Sequence, residues 1–254
     1  MHGSSADIGI ISLTFLVAGM VKGLTGMGLP TVAMGLLGLV MQPVRAAALL
    51  VFPSLVTNVW QLAAGPRFVG LVRRFATMMV GVILGTSVGI RMLTGGAGNQ
   101  AEGALGGALA AYGAIGSLST RFAVSAKSER WLSPFIGLMT GIVTGATGVF
   151  VIPAVPYINS LGLAKDELVQ TLGLSFTVST VALGFGVAVS GQFQGLEASS
   201  SLLALAPALG GMFLGQNMRK RLHEEAFRRW FFVALLVLGT YMVIRALAPG
   251  NPLP

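Results

Sequence analysis

Cysteine is missing from all 254 residues, which excludes disulfides, thiolate metal sites and thiol catalysis. Histidine occurs twice, as His2 near the terminus and His223 in a basic stretch. A histidine-based metal or nucleophile site inside an apolar segment is therefore excluded too. Charge is scarce: 9% of residues are Asp, Glu, Lys or Arg, about a third of the usual globular share. All eight acids (Asp7, Glu102, Glu129, Asp166, Glu167, Glu197, Glu224 and Glu225) fall in connectors or at the ends of apolar runs. None stands near the middle of a run, where proton relays in membranes are usually found. The sequence contains no Gly-x-Ser-x-Gly, no His-Glu-x-x-His and no phosphate-loop lysine motif. It predicts a protein that is not an enzyme and that takes no cofactor and no metal.

Apolar residues dominate, at 54% of the chain, the composition of an integral helical membrane protein. The formal charge of +8 comes from basic residues in short connectors. These read as topology signals and not as a nucleic-acid face. Met1–Asp7 has no basic region before the first apolar run, so no cleaved signal peptide is expected. A single transmembrane domain over 1–254 leaves no room for a soluble one.

Apolar runs fall at roughly 8–41, 46–64, 75–93, 103–118, 132–158, 168–190, 201–217 and 230–248. Most of the uninterrupted ones approach the ~20 residues that cross a bilayer as helix. The first and fifth are interrupted by related motifs. Gly19, Val21, Gly23, Thr25 and Gly26 match Gly141, Val143, Gly145, Thr147 and Gly148 at one constant offset, and Pro30 matches Pro153 with one residue added. Phe68–Leu71 is echoed by Phe193–Leu196 at a slightly larger offset. An internal duplication is expected, covering about 12–118 and 135–248.

Basic residues orient the chain. The rich connectors are 65–74 (Arg67, Arg73, Arg74), 119–130 (Arg121, Lys127, Arg130) and 218–229 (Arg219, Lys220, Arg221, Arg228, Arg229). If each interrupted run crossed once, 218–229 would face away from the other two. If each turns back as a hairpin, all three face the cytoplasm and both termini do not. The hairpin arrangement is expected: an all-α polytopic membrane protein of two inverted-topology repeats, each a broken helical hairpin plus three transmembrane helices. Arms of about 13–15 residues would reach only ~20–23 Å, so the hairpins turn inside the membrane unless the arms are longer.

A broken membrane segment in each half points to a transporter's binding site. Helix N-termini at about Pro30 and Pro153 would offer free N–H groups and a positive dipole end to an anion near the midplane. Gly23, Gly26, Gly28, Gly145 and Gly148 let a ligand approach backbone, Met27 sits in the turn, and Thr25, Thr144 and Thr147 carry hydroxyl donors. Lys22 adds a full positive charge where the second half has Thr144. Ser54, Asn58 and Gln61 share a face of the following helix, as do Thr171, Ser175 and Ser179. The alternative for the glycines is close helix packing, for the hydroxyls helix-to-helix bonding, and for the methionines filling of space. Trp60 is an interfacial anchor on the same reading.

The stretch Lys22-Gly-Leu-Thr-Gly-Met-Gly-Leu-Pro30, followed by Thr-Val-Ala-Met-Gly-Leu-Leu, resembles one branch of the TauE/SafE sulfite exporter family, also called the toluenesulfonate uptake permeases. Length and duplication extend the resemblance over nearly the whole chain. The family's triple glycine is thinned here to Gly-Met-Gly and, in the second half, to Gly-Val-Phe. The resemblance implies a permease of the bacterial inner membrane that moves sulfite, sulfonates or related small anions, working by alternating access. Its partners would be that anion and the lipid bilayer, without nucleic acid; a homo-oligomer is left open. An anion channel sharing the site, and a scaffold subunit that transports nothing, are the alternatives.

Overall fold

The computed structural model describes residues 5–95, 98–118, 123–191, 195–219 and 224–248. His2, Gly96, Arg121, Phe193, Gln194, Lys220, Arg221 and His223 lie outside the described residues. Among those described, the chain forms ten helices and no strand: α1 (Ser5–Thr25), α2 (Leu29–Leu37), α3 (Pro43–Ala63), α4 (Phe68–Thr94), α5 (Gly98–Ser117), α6 (Ala126–Thr147), α7 (Ala154–Asn159), α8 (Lys165–Val189), α9 (Gly195–Met218) and α10 (Glu224–Leu247). Six of them (α1, α3, α4, α8, α9 and α10) are long and apolar enough to cross a bilayer. This is a multi-pass membrane protein.

Each interrupted run becomes two helices, α1 with α2 and α6 with α7. Their arms differ from the near-equal ones expected. The first arms have 21 and 22 residues, and the return arms nine and six. The reason lies in which glycines break the helix. Gly19 and Gly23 lie inside α1, and Gly141 and Gly145 inside α6, each pressed against a neighbouring backbone. A methyl group on Gly19 would sit 2.1 Å from the Ala208 carbonyl oxygen, and one on Gly23 2.2 Å from that of Met212. Glycine weakens a helix by about 1 kcal/mol against alanine. Close backbone packing offsets that in a membrane, where small residues form the interfaces. The breaks are confined to Gly26–Gly28 and Gly148–Pro153.

The same glycine contacts give the helix directions. Gly211 meets Leu16 and Gly215 meets Met20, so α1 and α9 run parallel. Gly81, Gly85 and Gly89 of α4 meet Leu138, Ile142 and Ala146 of α6 in rising order, so this pair is parallel too. In α3 and α8 the order reverses, with Gly173 at Leu62 and Gly184 at Val51. It reverses again in α5 and α10, where Gly106 meets Gly239 and Gly113 meets Leu236. Short connectors reverse the chain from α3 to α4, α4 to α5, α8 to α9 and α9 to α10. The ends of α1, α3, α5 and α9 therefore lie at one end of the bundle, with the starts of α4, α6, α8 and α10.

Polar contacts lock this packing. Pro53 cannot donate to the Leu49 carbonyl one turn back, and the Ser201 hydroxyl from α9 donates to it instead, at 2.7 Å. Gln170 of α8 donates to the carbonyls of Leu62 and Gly65 and accepts from Arg67 N–H, closing the turn between α3 and α4. Arg74 makes a two-pronged bond to Glu129, at 2.6 and 2.8 Å, between α4 and α6. Glu102 is buried at the start of α5, 2.8 Å from Arg245, whose guanidinium also donates to the Leu39 carbonyl beyond α2.

Candidate functional site

Lys22 lies one turn before the end of α1 and is buried. Its ammonium donates to Thr57 Oγ1 at 3.1 Å and to Asn58 Oδ1, both on α3. These partners are neutral. The ion pairs among the described residues are Arg67–Glu167, Arg74–Glu129 and Arg245–Glu102, so no carboxylate there answers Lys22. A buried ammonium held only by neutral oxygens keeps an uncompensated charge in a medium that penalises it by several kcal/mol.

Asn58 carries the polar chain onward. Its Nδ2 donates to Ser54 Oγ at 2.9 Å and to Thr180 Oγ1 on α8 at 3.3 Å, and the two hydroxyls are 3.1 Å apart. Thr57 and Thr180 direct their own protons to the carbonyls of Pro53 and Phe176, both at 2.7 Å. One network thus joins α1, α3 and α8, with the Lys22 amine as the one ionisable group at its head. Among the described residues, no cluster of three or more His, Cys, Asp or Glu side chains could hold a metal ion.

Both tips are built by one recurring turn. Thr25 Oγ1 donates to Val21 O at 2.9 Å and accepts from Met27 N–H; its oxygen is also 2.7 Å from Met27 O. Thr147 Oγ1 donates to Val143 O and accepts from Val149 N–H. Gly26 and Gly148 follow at φ +78° and +72°, the left-handed region in which a side chain is strained. Their N–H groups return to Lys22 O and Thr144 O. The shared Thr-Gly pair is therefore what ends the first arm of each hairpin. Gly28, also at positive φ, lies against Phe231, and Met27 accepts from the Tyr112 hydroxyl. Gly148 lies against Met34 instead, five residues into α2. The two tips meet different levels of the bundle.

The residues singled out in the sequence now separate. Lys22, Asn58 and Ser54 come together. Ser175 and Ser179 are fully buried on α8, one of them next to Thr180, and their hydroxyls have no partner among the described residues. Gly23 and Gly145 are packing notches, the latter against Thr86 O. Thr144 and Thr171 donate to their own helices, to Thr140 O and Glu167 O. Gln61 donates to Val169 O, which ties α3 to α8. Pro30 sits in the first turn of α2 and Pro153 immediately precedes α7.

Four residues were not singled out. Thr57 lies on the face defined by Ser54, Asn58 and Gln61, so helical spacing carried its signal. Thr180 stands to Asn58 at the offset that links Gly19 to Gly141, so the repeat carried its signal. Thr31 and Thr140 are buried hydroxyls without partners among the described residues, Thr31 directly after Pro30 of the first motif and Thr140 directly before Gly141 of the second.

Compared with known proteins, the chain matches the family model described as Sulfite exporter TauE/SafE over residues 11–242. No curated protein and no solved structure matches it.

Proposed function

The chain belongs to the TauE/SafE sulfite exporter family, and from that premise we propose that it is a secondary transporter of small sulfur oxyanions, such as sulfite or organosulfonates, in the bacterial inner membrane. The observation that carries the reading is Lys22, a buried cation with neutral partners only. A bound oxyanion supplies the missing counter-charge. The partnerless hydroxyls of Ser175 and Ser179, on the helix that also carries Thr180 of the network, are the candidates to share its oxygens, because the threonines of the tips already direct their protons to carbonyls.

Alternating access follows from an inverted repeat, in which α1 to α5 correspond to α6 to α10. The helix pairing supports this. Exchanging the halves turns the parallel pair α1/α9 into α6/α4, which is also parallel. It returns α3/α8 and α5/α10 to themselves, both antiparallel. That is the behaviour of a two-fold axis lying in the membrane plane. With the basic connectors at one end of the bundle, that end is cytoplasmic and both termini are outside.

Counterflow in liposomes tests the transporter reading. Vesicles loaded with unlabelled sulfite should accumulate labelled sulfite transiently above its outside concentration, with a rate that saturates. Flux linear in concentration without counterflow would mean a channel, and no flux of any sulfur oxyanion would mean a structural subunit.

A further inference from the structure

The helix pair α4/α6 carries an open groove on its outer side, with a volume of about 540 Å³. Its floor is Gly81 against Pro134, where a methyl group on the glycine would lie 2.5 Å from the proline carbonyl oxygen. Val80 and Leu84 form one wall and Phe135 the other, each 55–58% exposed. Such side chains face hydrocarbon and not protein.

Two stripes of residues lead out of the groove toward the basic end of the bundle. On α4, Arg73 stands one turn before Thr77 and continues the line through Val80 and Leu84. On α6, Trp131 stands one turn before Phe135, and Lys127 one turn before Trp131. The helices are parallel, so both cations arrive at the same end. Arg73 and Lys127 are exposed and have no ion-pair partner among the described residues, whereas neighbouring Arg74 is neutralised by Glu129. The Trp131 indole, 77% exposed, is placed where tryptophan prefers the headgroup region.

We propose that this groove binds one anionic phospholipid, its phosphate between Arg73 and Lys127 and an acyl chain along the Gly81–Pro134 floor. Basic side chains at the cytoplasmic end of an interhelical groove are suited to an anionic headgroup. Charge also argues against a second copy of the chain as occupant. A two-fold contact sets a patch against itself, which would bring these unpaired cations onto one another. The comparable groove on α10, lined by Trp230, Val233 and Val237, is the weaker candidate. Arg229 lies about a quarter turn from its line and Arg228 nearly opposite, at 100° per residue.

Native mass spectrometry on the full chain, released from detergent with phosphatidylglycerol or phosphatidylcholine added, tests this. The wild type should retain one phosphatidylglycerol and not phosphatidylcholine, and millimolar inorganic phosphate should not displace it. The double variant Arg73→Gln/Lys127→Gln should weaken retention roughly tenfold or more. Val80→Trp, which fills the groove and leaves both cations, should also weaken it, while Arg228→Gln/Arg229→Gln should retain it. The proposal is overturned if the Arg73→Gln/Lys127→Gln variant retains the lipid as wild type does, or if only the α10 variant loses it. It is equally overturned if phosphate displaces the lipid, or if the wild type is a dimer that Val80→Trp dissociates.

Discussion

Hydroxyl protons divide the candidate residues into two kinds. Thr147 donates to Val143 O and accepts from Val149 N–H, so it has a structural task at the second tip. Removing a partner from a buried N–H costs about 1–3 kcal/mol. Thr147→Ala should lower the unfolding temperature while leaving anion affinity close to wild type in the folded fraction. Ser175 and Ser179 hold no such bond, so Ser179→Ala removes an unpaired buried hydroxyl and should leave stability unchanged or raise it by up to about 1–3 kcal/mol, while weakening substrate binding. Paired thermal unfolding and binding titrations separate the cases, and the reverse pattern would remove Ser179 from the site. Sequence alone showed both residues as membrane hydroxyls. Whether a hydroxyl turns back to its own helix depends on rotamer and neighbours, which spacing does not encode. Lys22 was legible because a cation inside an apolar run has few explanations, and Ser54 and Asn58 because helical spacing puts them on one face.

At the scale of elements, the glycines do two jobs that look alike in sequence. Gly26, Gly28 and Gly148 take positive φ and turn the chain, whereas Gly19, Gly23, Gly141 and Gly145 sit inside straight helices as contact points. The position of each break was therefore readable, and the lengths of the arms were not. A glycine counts against helix by propensity, and only the neighbouring backbone decides whether the helix continues. Gly23→Ala forces a methyl group to 2.2 Å from Met212 O, so α1 and α9 must separate, at a cost of about 1–3 kcal/mol. Gly210→Ala, on the same α9, meets nothing within 4 Å and should be neutral or gain up to about 1 kcal/mol. Unfolding temperatures of the two purified variants check this. A Gly23→Ala protein as stable as Gly210→Ala would show that the α1/α9 contact is looser than described.

For the molecule as a whole, sidedness is the first consequence of the proposed inverted repeat. The chain has no cysteine, so Gly70→Cys, Ser125→Cys and Glu225→Cys can each be labelled alone by an impermeant maleimide. All three should react from the cytoplasmic side and Gly98→Cys from the other. Opposite labelling of positions 70 and 225 would break the repeat model. The proposed two-fold relation of the halves was partly legible in the duplicated motif, but their difference matters more for function: one half presents Lys22 where the other presents Thr144, and Lys22 is the one ionisable side chain in the buried network. The most direct measurement is therefore the sulfite affinity of purified wild type, Lys22→Met and Lys22→Arg, each shown to be folded. Losing one partner of a buried charged pair weakens binding by about 2–5 kcal/mol, tens- to thousands-fold. Lys22→Met should fall in that range, and Lys22→Arg should recover part of the loss, because a guanidinium keeps the charge with a different donor geometry. Equal affinity in wild type and Lys22→Met would contradict the account and leave Lys22 as a structural link between α1 and α3.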